Sequence, residues 1–218
     1  MSKSNDVYDH VMGRLLSADF DFGERLLVKE LGVQTGASRQ PIMSALNRLS
    51  TEGFVKVVPQ VGCEVIHPSH SEIADFFLLF AQLEGLLIRL AASRRTEEQL
   101  LELNIIQQRI LSVIRMETPS PASYASLNRV FHNSMHQMAH SPLLMRKQRN
   151  NFNMCDFFIT HSVGFTSFMS EAAEEHQEII EAIADGDADR AETLAIAHIR
   201  EIGNAVVAGL ETQTPPSA

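Results

Sequence analysis

Three histidines and one asparagine carry the most chemistry in this chain. Asn128 and His132 stand four residues apart, a spacing that puts both on one face of a helix. His176 lies in SEAAEEHQEIIEAI and His198 in AETLAIAHIREI, both helical in pattern. If the three segments meet, three imidazoles and one amide oxygen can converge on a divalent cation such as Zn, Mn or Ni. Spacing alone leaves competitors among the nine histidines. His136, His140 and His161 are available, and His132 with His136 forms a second i, i+4 pair. A metal with open positions would also suit a metal-dependent enzyme. That reading lacks a clear general base, because Glu174 and Glu175 adjoin His176 and are expected to face elsewhere on the helix. A third reading is a plain dimerisation bundle whose histidines fill a polar core.

The segments that position these residues read as helical from residue 71 onward. Helices are expected over 71–93, 96–116, 120–139, 141–161, 166–185 and 187–210. The breaks fall at Arg95-Thr96, Thr118-Pro119, His140-Ser141-Pro142, around Gly164 and at Asp185-Gly186-Asp187. Six helices with short loops predict an antiparallel bundle over 72–212. Residues 71–93 are apolar on much of the helix surface, so that helix is either central or half of an interface. Residues 67–71 form a linker in which Ser69 or Ser71 can cap the next helix. The tail 213–218 is expected to be disordered.

Residues 1–66 follow another plan. Asn5 or Asp6 can cap a first helix bearing Val7, Val11, Leu15 and Leu16. A short helix covers roughly Leu27 to Leu31, with Gly32 and Gly36 punctuating a turn. Ser38 is placed to cap the next helix through its side-chain oxygen, with Pro41 in the first turn. Ile42, Leu46 and Leu49 make its buried stripe and leave Arg39, Gln40, Met43, Asn47 and Ser50 outward. Gly53 ends it. Residues 54–58 and 63–66 then alternate around a Pro59-to-Gly62 turn, as a hairpin does. Helix, helix-turn-helix and hairpin in that order predict a winged helix-turn-helix, which binds double-stranded DNA. The fold class is therefore mainly α: an N-terminal winged helix-turn-helix followed by an all-α antiparallel bundle.

Net charge is −9, which taken alone argues against nucleic acid. The distribution matters more. Residues 1–66 carry seven Lys/Arg against eight Asp/Glu, whereas 67–218 carry eleven against nineteen. Within 33–62, Arg39, Arg48 and Lys56 oppose only Glu52, a net of +2. No apolar run reaches the roughly 20 residues of a membrane span. The N-terminus lacks a signal-peptide core, so the expected location is cytoplasmic. Cys63 and Cys155 read as two reduced thiols.

The segments FGERLLVKELGV, GASRQPIMSALNRL and EGFVKVVPQVGCEV resemble the GntR superfamily of bacterial transcription regulators. The resemblance implies roles for Lys29 at a phosphate, Ser38 and Arg39 at DNA, Gln40 near a base, and Gly62 at the wing tip in the minor groove. Met43 stands where the family usually has arginine, so the operator is expected to differ there. The segments LEGLLIRLAA, LNRVFHNSMHQMAHSPLL and EEHQEIIEAIADGDADRAETLAIAHI resemble the FCD (FadR C-terminal domain) effector domain of one subfamily. In its metal-binding members, the ligand positions match Asn128, His132, His176 and His198. Asn128 replaces the commoner aspartate and removes one negative charge. Effectors of the class are mostly small organic or sugar acids. The class arginine before Glu84 is Phe80 here, which removes a charge-assisted contact to a carboxylate. Phe80 and Glu84 are thus the expected effector-pocket residues. Arg89 and Arg129 could substitute, although solvated helix surface is the plainer reading for each. A DNA module joined by a short linker to a bundle with a ligand-sized polar site leads to the expected function: a homodimeric repressor, not an enzyme, that reads a near-palindromic operator under the control of a carboxylic-acid effector bound at the metal.

Overall fold

The computed structural model describes residues 2–58 and 62–213. Its chain divides into two compact units. One comprises residues 1–69 with 156–161, and the other residues 70–155 with 162–218.

In the first unit, α1 (Lys3–Leu16) begins one turn earlier than expected, because Ser2 rather than Asn5 or Asp6 caps it. The Ser2 side chain accepts from the Asn5 N–H. Val7, Val11 and Leu15 are buried along one face. Tyr8 joins them and donates to Glu52. Next come α2 (Val28–Thr35) and α3 (Arg39–Thr51). Gly32 lies inside α2 rather than in the turn; Gly36 alone terminates it, with a left-handed φ of 62°. Ser38 holds the N-cap position of α3, but its side chain makes no capping hydrogen bond, contrary to expectation. Ile42, Ala45, Leu46 and Leu49 form the buried stripe.

The hairpin strands are β2 (Val55–Val58) and β3 (Gly62–Val65), paired antiparallel from Val55–Val65 to Val58–Gly62. Most of the turn between them, residues 59–61, lies outside the described residues. The sheet has a third strand the sequence did not suggest: β1 (Arg25–Leu26) pairs with β3 on its other edge. Gly62 has φ 133°, and a Cβ there would meet the Leu26 carbonyl oxygen at 3.1 Å. Glycine is therefore required by the sheet itself, whatever else it does. The rings of Phe22 and Phe54 pack edge-on against Phe157, and His161 Nε2 lies 2.8 Å from the Phe20 carbonyl oxygen, all within this unit.

The second unit is helical: α4 (His70–Arg94), α5 (Glu97–Ile114), α6 (Pro121–Met138), α7 (Pro142–Thr160), α8 (Met169–Asp185) and α9 (Ala188–Gln213). A short 3₁₀ turn at Phe165–Ser167 precedes α8, which starts later than periodicity suggested. Residues Asp156–Thr160 of α7 belong to the first unit and its earlier residues to the second. Helix α9 runs three residues beyond the expected 210; residues 214–218, most of the expected tail, lie outside the described residues. Helix α5 starts with a capping box between Thr96 and Gln99. Cys63 and Cys155 are both buried and form no disulfide. Among the described residues, no helix is long and apolar enough to cross a membrane.

Helix α4 is the central element and lies along α9. Two glycines let the helices approach. A Cβ at Gly85 would meet Ile196 Cγ1 at 2.6 Å, and one at Gly203 would meet Phe77 Cβ and Cγ at 2.7 Å. Ile196 can turn its side chain, which leaves the Glu192 carbonyl oxygen at 3.2 Å as the fixed contact, whereas Phe77 Cβ at 2.7 Å can yield only by moving the backbone. Alanine gains about 1 kcal/mol of helix propensity over glycine, while overpacking costs about 1–3 kcal/mol. The G203A variant should therefore melt lower than the parent, and G85A should lose less. A thermal melt that leaves G203A unchanged would contradict this packing.

Candidate functional site

Each donor of the candidate metal centre is presented by a helix of the second unit. Asn128 and His132 lie one turn apart on the buried face of α6, His176 on that of α8, and His198 on α9. The four sit among apolar neighbours because their helices are amphipathic: Phe131, Ile179, Ile180, Ala195 and Ile199 share the same buried faces. One ligand nitrogen from each of His132, His176 and His198 lies within 4.8 Å of the other two. The ring centroids are 4.9–5.5 Å apart. His176 also stacks on Phe131 at 4.2 Å.

The hydrogen bonds decide which nitrogens are exposed to the cluster. Glu84 is fully buried on α4. Burial works to raise its pKa, but the imidazoles of His136 and His132 beside it prevail and hold the carboxyl well below its usual range. An ionised carboxylate can only accept, so the nitrogens facing it carry protons. His132 Nδ1 donates to Glu84 Oε1 and His136 Nε2 to Glu84 Oε2, each at 2.8 Å, and Gln148 adds a third donor at 2.5 Å. Likewise His198 Nδ1 donates to Glu175 Oε2 at 2.6 Å. Both carboxylates thus fix a tautomer that leaves Nε2 with its lone pair available. This carboxylate–histidine pairing is the usual support of metal-ligating imidazoles.

The remaining polar atoms are orphaned. His176 Nδ1 and Nε2, His198 Nε2 and Asn128 Oδ1 are buried with no hydrogen-bond partner among the described residues. Leaving such groups unmet costs about 1–3 kcal/mol each. One nitrogen of His176, with His198 Nε2 and Asn128 Oδ1, fits a site that receives a cation. Burial, the largest cause, lowers the His132 pKa to about 4 against the pull of Glu84; burial also lowers His176 well below its ordinary value, with His198 and His132 adding to it. Both imidazoles are therefore neutral at pH 7, as metal ligands must be.

That depression predicts acid sensitivity of the metal-free protein. Above about pH 6.5, where free imidazole titrates, His132 is neutral in both folded and unfolded chains and contributes nothing. Below it the unfolded chain binds a proton that the folded chain refuses. Stability falls until about pH 4, where folded His132 also protonates. The loss from His132 is about 3 kcal/mol, and His176 adds to it. Urea titrations of metal-free protein between pH 7 and pH 4 measure it; a flat profile would contradict the burial.

Other sequence candidates fall elsewhere. His136 belongs to the Glu84 network, so the group Glu84, His132 and His136 is a hydrogen-bonded set whose carboxylate is already engaged. His161 lies in the first unit, and His140 is exposed. Phe80 is fully buried, with its ring against Phe76 and Phe152. Arg89 pairs with Asp189 and, at 2.7 Å, with Glu192, tying α4 to α9. Glu175, expected to face away, instead reaches His198. Nothing in its local sequence signalled this, because the partner lies 23 residues on and on the next helix.

In the first unit, Ser38, Arg39 and Gln40 are exposed at the start of α3, Met43 is half-buried one turn on, and Lys29 is exposed on α2. Arg39 and Lys29 have no hydrogen-bond or ion-pair partner among the described residues, so both charges are available to phosphate or base. Arg48 is not: its guanidinium lies 3.5 Å over the Tyr8 ring and pairs with Glu52 at 3.0 Å. The positive face is thus smaller than the sequence count implied, and rests on Arg39, Lys56 and Lys29.

Comparison with known families agrees with both units. The FCD domain family matches residues 75–201, and the gntR family of bacterial regulatory proteins matches residues 3–65. This chain is a GntR-family transcriptional regulator with an FCD domain. Among curated relatives of this GntR regulator, the Nta operon transcriptional regulator of Aminobacter aminovorans is 26% identical over 191 residues, covering 85% of this chain and 86% of the relative. The HTH-type transcriptional repressor RspR of Escherichia coli (strain K12) is 28% identical over 186 residues, covering 84% and 80%. Among solved structures, E. coli McbR/YncC superposes with a TM-score of 0.77 over 98% of this chain and 100% of that one, at 18% identity, a likeness of fold.

Proposed function

We propose that this GntR-family regulator is a homodimeric repressor whose operator affinity is set by a small acid bound beside a divalent metal in the FCD domain. The observation that carries the reading is the set of orphaned nitrogens and amide oxygen on His176, His198 and Asn128, beside a His132 whose Nδ1 is already engaged. His132, His176 and His198 supply three imidazole nitrogens and Asn128 an amide oxygen. Glu84 and Glu175 orient two of the rings. A bound Zn, Mn or Ni ion would supply Lewis-acidic positions for an effector's carboxylate oxygens. The identity of the acid is left to the apolar ring of Phe80, which favours a monoacid or a more apolar compound over a diacid.

In the first domain, Arg39 and Gln40 read bases, Ser38 and Lys29 hold phosphates, Met43 meets a thymine methyl, and Gly62 lets the wing approach the minor groove. Two such domains in a dimer match half-sites about one helical turn apart. Helix α7 contributes residues to both units, so an effector that shifts its Pro142–Cys155 part acts on Asp156–Thr160 through one continuous backbone. A coupling of about 1–3 kcal/mol suffices for a switch.

The test starts from a random duplex pool. Metal-loaded full-length protein should select a near-palindrome, and fluorescence anisotropy on that duplex should show at least one small carboxylic acid changing affinity. If the acid acts equally on chelator-treated protein, the metal is not its anchor. Selection of no sequence would remove the operator reading altogether.

A further inference from the structure

Two of the three imidazoles in the proposed metal centre are held from behind. His132 Nδ1 donates to Glu84 and His198 Nδ1 to Glu175, which leaves each Nε2 as the ligand atom. His176 has no such support: both of its nitrogens are buried without a hydrogen-bond partner among the described residues. One polar atom of the same unit matches that need. Gln107, on α5, is fully buried, and its Oε1 also has no hydrogen-bond partner among the described residues. Its Nε2 donates to the Ala173 carbonyl oxygen at 2.7 Å. Only the NH2 end of an amide can face a carbonyl, so that contact fixes which end of Gln107 is the unmet acceptor. Ala173 stands three residues before His176, and both are buried on α8. In a helix the carbonyl of residue i lies beside the root of the side chain at i+3, close enough for a serine or threonine there to bond to it. Thr160 does so on α7, where its hydroxyl donates to the Phe157 carbonyl at 3.1 Å. The Gln107 amide is therefore anchored beside the root of His176, the end of the ring that carries Nδ1.

We propose that Gln107 is the positioning residue of His176: with Nε2 as the ligand atom, His176 donates from Nδ1 to Gln107 Oε1. The inference rests on the metal centre proposed above and completes its supporting layer. A neutral ring that ligates through one nitrogen carries its proton on the other, and that N–H needs an acceptor in a buried site. Nδ1 adjoins the ring carbon that bears Cβ, whereas Nε2 is at the far end of the ring, where it extends towards His132 and His198. The pairing satisfies a donor and an acceptor that are each costly to bury alone. An amide rather than a third carboxylate suits the charge. Glu84 and Glu175 already place two negative charges behind the cluster, enough to balance a divalent cation. A third buried carboxylate would need a counter-charge of its own. Gln107 thus sets the tautomer of His176 without adding charge, as Glu84 and Glu175 set those of the other two rings.

The experiment measures zinc affinity by competition with a chromophoric chelator for the full-length parent and for Q107M, Q107E and H176L. A melt in chelator checks that each variant is folded. Methionine keeps the length of glutamine and removes both amide atoms. Q107M should bind zinc at least about tenfold more weakly than the parent, the usual loss when a supporting group is removed. Q107E keeps an acceptor oxygen and should bind zinc more tightly than Q107M. Nitrogen NMR of histidine-labelled protein supplies a readout that packing alone would not move. In the zinc-saturated parent, three rings should ligate through Nε2 and hold a slowly exchanging proton on Nδ1, and in zinc-saturated Q107M one of the three should lose that protection. Equal zinc affinity of parent and Q107M, Q107E binding no more tightly than Q107M, or a ring bound through Nδ1 would overturn the assignment. A parent that binds zinc and loses it in H176L, with Q107M unaffected, refutes the role of Gln107 alone. A parent that binds no zinc refutes the metal centre and this inference with it.

Discussion

Metal-free protein is expected to melt about 5–10 °C higher once Zn²⁺, Mn²⁺ or Ni²⁺ is added, and the H176L variant to show no rise. An ion present at 100 times its dissociation constant adds about 2.7 kcal/mol, and each kcal/mol is worth about 2–4 °C in a chain of this size. The substitution has a second, opposite effect. In the metal-free protein both His176 nitrogens are buried without a partner among the described residues. Leucine removes that penalty, so metal-free H176L should melt above metal-free parent by the equivalent of about 1–3 kcal/mol. A histidine that merely packed on Phe131 would give the reverse: lower stability on substitution and no metal response in the parent. Differential scanning calorimetry of both proteins, with chelator and with each metal, separates the two. The conservative E175Q variant should keep the fold yet weaken metal binding by roughly 10–100-fold, the usual effect of losing such a supporting group.

The R39A variant should lose at least about 30-fold in operator affinity. One bidentate arginine–guanine contact discriminates by about 1–3 kcal/mol, and a dimer loses it at both half-sites, so about 2 kcal/mol is a lower expectation. The loss should be confined to the selected operator. K29A should instead weaken all duplexes alike and reduce the salt dependence, as removal of a phosphate contact does. R48A is the control: its charge is already committed to Glu52 and the Tyr8 ring. It should lower the melting temperature more than it lowers DNA affinity. Fluorescence anisotropy across a salt series measures all three. Equal losses for R39A on operator and on unrelated DNA would move Arg39 from base reading to phosphate holding.

Much of this was legible in the chain because the signals are local. Helices α4 to α9 announce themselves by apolar periodicity between Pro, Gly and Ser breaks, and their ends fall within a few residues of the expected ones. The Asn128–His132 pair is legible for the same reason, since one turn of helix fixes its geometry. What could not be read is what depends on distant partners. Strand β1 is two residues long and exists because β3 offers an edge to it. Gly32 looks like a breaker, yet Gly36 alone adopts the left-handed conformation that ends α2. Glu84 and Glu175 support the histidines across 48 and 23 residues of sequence. Arg48 shows the converse: a residue counted as part of a positive field is neutralised by Glu52, one turn on.

His132, His176 and His198 are proposed to hold one metal ion per chain. X-ray absorption at the metal edge of the loaded protein tests it most directly, with H132L, H176L and H198L measured alongside. Zinc-loaded protein is expected to show one ion per chain with three imidazole nitrogens at about 2.0–2.1 Å and oxygen completing the shell, and each variant to lose the ion. A spectrum with sulfur neighbours, with fewer than three imidazoles, or one that survives H176L unchanged would contradict the centre and the regulation built on it.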